Sequence, residues 1–470
     1  MSLLWSRIVD EVQAANKNAG TLTLDSLSPD LKAIFTRKSY AVIPDEFSKH
    51  QSLSDIQSWD KLTYSSDLAI ANLLGSWNEQ NEADGKVIAQ LSNKNSKTWF
   101  STIGEILQQP TSPLTLRNGR WRVAQRQALW DTLCNRIFDN NLDEFKNCAI
   151  EVLTERNPEF DLPMQDRFAA SMYGKTSKHS IELRKGMAET LAILGNRPHS
   201  LTNCSLNKAE FIAISSVRKI LDDADWVLWG SLNDLLPLLA EAAPNEFLDA
   251  VEHALQKSPS PFDQLFPRES AGISGRNYIT RLLWALETLA WEDEFLVRTT
   301  VILGELTTHD THETNWANRP SNSLQTIFLP WFPQTKASLD KRKVAIQTLI
   351  KEVPDAAWQL LLKLLPNQIQ STSGSHKPIW RDTISDDWGK NIPQKDYWDQ
   401  ILFYADQAVS MASKNIGRLI EITENIDNLP KPSFEKVLDM LHSESNSSKS
   451  DVSQSHMIFW KKFNKVYCQT

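Results

Sequence analysis

Apolar residues recur along this chain at spacings of three and four, and strict apolar–polar alternation is almost absent. Ile279, Leu282, Leu283, Leu286 and Ala290 fall on one stripe of a 3.6-residue helix, with Trp284 and Trp291 on an adjoining stripe. Leu133, Ile137 and Phe138 repeat the spacing. A strand would throw successive side chains to opposite faces, so this pattern predicts helices over most of the length. The Asn118-Gly119 pair sits among arginines rather than between alternating segments, and reads with Pro110 and Pro113 as a connector.

Three helices are expected to stop in the same way. Leu153-Thr154-Glu155-Arg156-Asn157-Pro158, Leu239-Ala240-Glu241-Ala242-Ala243-Pro244 and Leu349-Ile350-Lys351-Glu352-Val353-Pro354 each end a leucine-bearing run at a proline, and a new apolar run follows. Proline fits the first turn of a new helix and cannot continue the old one. A fourth, weaker copy is read at 408–428, with Gly417 in place of proline. The prolines stand 86 and 110 residues apart, so the repeat is diverged. The fold class expected is all-α and elongated, an irregular α-solenoid or stack of helical hairpins of the HEAT or TPR kind.

Composition shifts divide the chain into a helical region at 1–110, a helical-repeat block at 111–306 and a long loop at 307–333. A second helical block follows at 334–442, then a Ser-rich linker at 443–455 and a basic, aromatic tail at 456–470.

The 470 residues are 41% apolar and 23% charged, enough to bury a sizeable core. The net charge of −8 argues against general phosphate-backbone binding. Cys134, Cys148, Cys204 and Cys468 form no CxxC pair, and buried free thiols in a reducing compartment are expected. The amino terminus lacks the pattern of a signal peptide, and the most apolar window, 226–243, is interrupted by Asn233, Asp234 and Pro237. A cytoplasmic protein without a membrane span is expected. Most of the 17 Trp are expected in the core, with some left to contact a partner.

Four clusters suggest chemistry. Arg117, Arg120, Arg122 and Arg126, interleaved with Trp121 and Trp130, offer phosphate contacts and base stacking, or a solvated or ion-paired helix face with Arg122 and Arg126 one turn apart. Gly174-Lys175-Thr176 echoes a phosphate loop, but Ala169 stands where the first glycine belongs, so a helix C-cap is expected there. His309 and His312, with Asp310 and Glu313, have a spacing that could hold a metal, with no partner motif elsewhere. Asp386-Asp387-Trp388, downstream of His376 and Trp380-Arg381, reads as a helix cap rather than an acid–base pair. The segment carrying Trp316, Asn318, Arg319, Trp331 and Phe332 reads as an ordered recognition loop on a helical scaffold.

The run Pro113-Leu114-Thr115-Leu116-Arg117-Asn118-Gly119-Arg120-Trp121-Arg122 and the 315–333 segment resemble the helical portions of large bacterial defence ATPases of the signal-transduction type. The resemblance implies a helical arm that senses a foreign component, as a detached sensor or scaffold arm or as one subunit of a system whose enzyme is encoded separately. It carries over no functional residue. The function expected is a non-enzymatic scaffold or sensor that binds a protein partner and needs no cofactor. A nucleic-acid binder using the arginine patch and a metal-dependent enzyme around His309 and His312 are the alternatives.

Overall fold

The computed structural model describes residues 59–447 apart from 62, 110–111, 268–276, 312–316, 367–371, 373, 382–383, 386–387 and 390. Among the described residues helices dominate, with one small sheet formed by segments between residues 76 and 123. The first elements are α1 (Ser65–Leu74), β1 (Ser76–Asn78), α2 (Glu82–Ser92), α3 (Ser96–Leu107), β2 (Leu114–Arg117), β3 (Arg120–Val123), α4 (Arg126–Leu133) and α5 (Asp139–Leu153). The middle holds α6 (Ile181–Asn196), α7 (Lys208–Leu221), α8 (Trp226–Ser231), α9 (Leu236–Ala242) and α10 (Pro244–Leu255). Then come α11 (Thr280–Ala290), α12 (Leu296–His309), α13 (Pro320–Phe328), α14 (Leu339–Glu352), α15 (Pro354–Leu364), α16 (Gln394–Ala412), α17 (Ile416–Thr423) and α18 (Lys431–Ser447).

Local chemistry starts many of these helices. Asn81, Asn95, Ser180, Asp225, Ser338 and Asn415 each accept a first-turn backbone N–H through the side chain. Such caps satisfy donors that have no partner within the helix. The stripe Ile279, Leu282, Leu283, Leu286 and Ala290 is buried on α11, as its spacing requires. Ile137 and Phe138 differ from the helical reading. They lie between α4 and α5, with Ile137 buried and Phe138 exposed.

The sheet corrects the reading of Asn118-Gly119. That pair is the turn of a hairpin, with φ of +51° and +77°, which asparagine and glycine accept at least cost. Strand β3 pairs antiparallel with β2 on one side and β1 on the other, giving the order β1-β3-β2. Side chains alternate along β3: Arg120 and Arg122 point outward, and Trp121 and Val123 are buried. Trp121 stacks on Trp77 with centroids 5.7 Å apart, and Trp99 meets Trp77 edge-on at 5.2 Å. Two four-residue strands are too short for alternation to stand out, and β1 lies some forty residues upstream. The sheet also joins the two sides of the boundary expected at 110/111.

Two of the three proline stops share one geometry. Ala243 (φ −150°, ψ 81°) and Val353 (φ −136°, ψ 70°) leave the helix in the same way, and Pro244 and Pro354 open α10 and α15. Around them the same packing recurs. Helix α6 packs on α7 and α9, with α7 and α9 both against α10; likewise α12 packs on α13 and α14, with both against α15. Gly195 on α6 and Gly304 on α12 occupy matching crossings. The 110-residue interval therefore marks a repeated arrangement, whereas Pro158 opens only a short 3-10 turn, Pro158–Asp161.

A Cβ on Gly195 would lie 1.9 Å from the Ala242 carbonyl oxygen, while one on Gly304 would meet the Leu349 Cδ1 at 2.4 Å. Backbone cannot yield as a side-chain methyl can. Gly195→Ala is therefore expected to lose about 1–3 kcal/mol or more in a denaturant titration, and Gly304→Ala distinctly less. Equal losses would refute this account of the two crossings.

One connected core runs from Trp59 to Leu441, so the boundaries expected at 306/307 and 333/334 do not interrupt packing. The 307–333 interval is not one loop, because α12 extends to His309 and α13 fills Pro320–Phe328. Trp59, Trp77, Trp99, Trp130, Trp229 and Trp291 are fully buried. Helix α18 runs into the expected Ser-rich linker as far as Ser447, and the 456–470 tail lies outside the described residues. No helix of the described residues is long and apolar enough to cross a membrane.

Candidate partner-binding site

The arginine patch is divided, with one member buried and three exposed. Arg126 is buried at the start of α4, where Nη1 donates to Glu189 Oε2 at 2.9 Å and to the Gly186 carbonyl at 3.1 Å. Its Nη2 donates to the Asn72 carbonyl at 2.6 Å and to the Thr190 hydroxyl. Arg122 is on a strand, so it shares no helix face with Arg126. Trp121 and Trp130 are buried, which removes the stacking platforms a base would need. Arg117, Arg120 and Arg122 stay exposed, and Arg120 pairs with Glu182 at 3.0 Å.

A different region brings polar groups together. Residues 374–381 form a strap that is held through its backbone by carboxylates on two helices. Glu241 on α9 is buried, and it accepts N–H bonds from Ile379 (3.1 Å), Trp380 (2.6 Å) and Arg381 (2.9 Å). Glu287 on α11 accepts from the His376 N–H at 2.8 Å and from the Ser323 hydroxyl of α13 at 2.6 Å. Burial pushes both carboxyls above the usual glutamate range, against the opposing pull of these hydrogen bonds. Arg381 closes the far end of the strap on Glu292 at 2.5 Å, and the Trp291 indole N–H donates to the His376 carbonyl at 3.0 Å.

Between strap, α11 and α13 lies a cleft of about 270 Å³, lined by Trp284, Glu287, Asn318, Asn322, Thr326 and His376 among others. The His376 ring stacks on Trp284 at 5.1 Å and meets the Thr288 hydroxyl through Nδ1 at 3.0 Å. Burial, then the charge of Arg281, keeps the His376 pKa below its usual value. Asn318 thus faces the cleft, whereas Arg319 is tied to Asp310 at 2.6 Å. Trp331 and Phe332 follow α13 as a stacked pair, centroids 6.0 Å apart, with Trp331 exposed. The backbone just after them is held: Gln334 N–H donates to the Ile327 carbonyl, Lys336 N–H to the Trp291 carbonyl, and the exposed Trp388 indole to the Thr335 carbonyl. Gln334 also accepts from the Ser375 N–H at 3.3 Å, which couples the aromatic pair to the strap. Trp316 lies outside the described residues.

No family model matches this chain, and neither a curated protein nor a solved structure matches it.

Other candidate chemistry does not converge. His309 directs Nδ1 to Asp263 at 2.6 Å, and His312 lies outside the described residues. Among the described residues no three His, Cys, Asp or Glu side chains form a metal-binding group. Gly174 caps the 3-10 helix Met164–Tyr173 with φ +68°, so Gly174-Lys175-Thr176 is a helix stop, as its sequence indicated. Cys134, Cys148 and Cys204 are unpaired, and burial pushes the Cys148 thiol up to about 12 and the Cys204 thiol to about 11. Such thiols stay protonated near neutral pH and make poor nucleophiles. His179 is buried with Nδ1 2.6 Å from Glu155, which resembles a base and its orienting acid. The neighbouring Ser180 hydroxyl instead donates to Asp84 and caps α6, so it is not presented to His179 as a nucleophile. Asp386 and Asp387 lie outside the described residues.

Sequence reasoning missed Glu241 and Glu287, because a glutamate on a helix ordinarily faces water. It also missed an apolar surface at Phe168, Met172 and Tyr173, all exposed on the 3-10 helix. The signal available was Phe168 and Met172, four apart in a short segment bounded by Pro163 and Gly174.

Proposed function

We propose that this chain is a non-enzymatic helical scaffold, of the irregular solenoid or stacked-hairpin kind, that binds a protein partner through the face around α13 and the strap. The observation that carries the reading is the exposed Trp331 stacked on Phe332, with Trp388 nearby, on a turn closed by the Gln334 N–H to Ile327 carbonyl bond. Aromatic anchors held rigid before binding lose little entropy on docking and dominate interface energies. The recurring packing of α6–α10 and α12–α15 suits a surface built from successive helix sets. The resemblance to sensor arms of defence ATPases is what suggests a partner within a bacterial defence system. Unpaired thiols fit a reducing, cytoplasmic setting.

The test is affinity capture from the native host with the wild-type chain and with Trp331→Ala/Phe332→Ala. A stoichiometric protein should be captured by the wild type and lost, by about tenfold or more, with the double variant at unchanged thermal stability. Capture that ignores the double substitution would remove these aromatics from the interface. Material lost on nuclease treatment would favour the exposed Arg117, Arg120 and Arg122 instead.

A further inference from the structure

We propose that the cleft between α11, α13 and the strap receives the cationic end of a lysine or arginine side chain presented by the protein partner, with Glu287 as its counter-ion. This rests on the scaffold reading above and names what the partner must supply. The fully buried carboxylates with a raised pKa among the described residues are answered from within the chain: Glu241 is saturated by three backbone N–H groups and lies near Arg381, and Asp84 holds Ser180 and the Asn78 N–H. Glu287 differs. It accepts one N–H and one hydroxyl, and no cation of the described residues forms an ion pair with it. A carboxylate in that state leaves lone pairs unfilled and carries a desolvation cost that a cation would offset.

The cleft supplies the remaining features such a side chain needs. It is open, about 270 Å³, and has Leu283 and Trp284 in its lining as apolar surface for an aliphatic stem. Asn318 and Thr326 line it and make no side-chain hydrogen bond among the described residues, so each can accept a further N–H from the head group. Arg281, the nearest cation on α11, lies over Trp284 at 4.3 Å and is paired with Asp234 at 3.2 Å, so its charge is already met. The result is one acidic position, unanswered and framed by acceptors. A neutral or anionic side chain would leave it so.

The experiment is calorimetric titration of the whole chain with three probes: N-acetyl-arginine amide, N-acetyl-lysine amide and N-acetyl-norleucine amide. The two cations should bind and the neutral isostere should not, and Glu287→Gln should weaken cation binding by about tenfold or more. Since that substitution also touches the His376 N–H, a second variant keeps the test sound. Asn318→Lys places a tethered ammonium at the cleft without altering any bond to Glu287. It should abolish binding of both cations and raise the melting temperature. Butylamine distinguishes a free amine from a peptide side chain: binding as strong as that of the lysine amide would show that the site takes small amines, and would overturn the assignment to a partner. Binding of norleucine amide equal to that of the cations, or undiminished binding to Asn318→Lys, would overturn it as well. Failure here with aromatic-dependent capture intact refutes only the cleft assignment. Glu287-dependent cation binding without any captured protein would instead refute the scaffold reading.

Discussion

Arg126→Ala is expected to lose about 3–5 kcal/mol of stability, the range for removing one partner of a buried ion pair. The guanidinium is nearly inaccessible and ties three elements together. It holds the Asn72 carbonyl at the end of α1, and Glu189, Thr190 and the Gly186 carbonyl on α6. Burial pulls its pKa down and the Glu189 charge opposes the fall. Truncation leaves Glu189 with only Lys185, 3.9 Å away, as a cation and takes one donor each from the Asn72 and Gly186 carbonyls, next to a crossing where a Cβ on Gly186 would lie 2.1 Å from the Leu74 carbonyl oxygen. Lysine keeps the charge but not the fork, so Arg126→Lys should recover only part of the loss. Adding Glu189→Gln to Arg126→Met should recover part as well, because the stranded charge is then gone. Removing an exposed charge such as that of Arg117 should change stability by no more than about 0.5 kcal/mol. Urea unfolding of the set decides the matter. If Arg126→Ala unfolded at the wild-type midpoint, the clamp would have no energetic role.

Glu241→Ala should act differently, by releasing the strap rather than unfolding the chain. Three backbone N–H groups lose their acceptor, each worth about 1–3 kcal/mol if it stayed buried. The strap can instead lift and hydrate, which caps the global cost and puts the effect into local opening. Amide exchange at Ile379, Trp380 and Arg381 should accelerate by about a hundredfold, while α6 and α12 keep their protection. The pH dependence has a definite sign. The folded Glu241 pKa lies above its unfolded value, so protonation favours the folded form. That contribution is lost as pH rises through the folded pKa and is complete below the unfolded value of about 4.5. The stability of the wild type relative to Glu241→Gln should therefore increase from neutral pH down toward that point. A difference that shrinks on acidification would contradict the burial of this carboxylate.

Much of the helical core was legible because its cause is local. The period of three and four on α11, the proline stops at 244 and 354, and the Gly174 cap each follow from backbone constraints within one turn. The hairpin was hidden although its Asn-Gly turn was in plain view. Its flanking strands are short, and the partner that makes Trp121 a core residue is Trp77. The candidate site was partly legible. Asn318, Trp331 and Phe332 were singled out and lie on or beside the cleft, whereas Arg319 is drawn into an ion pair with Asp310.

What the sequence by itself determined is the helical character, the positions where helices stop and the burial of most large apolar side chains. These depend on dihedral limits and on the period of the apolar face, which neighbours along the chain set together. Only the tertiary structure decided the fate of the charged and polar groups. Arg126 became a clamp and not a phosphate contact because Glu189 reaches it from sixty-three residues away. Glu241 and Glu287 became anchors because a strap 138 and 89 residues downstream lies across them. A charge acquires its role from what surrounds it at a few ångströms, and in this chain those surroundings come from segments far apart in sequence.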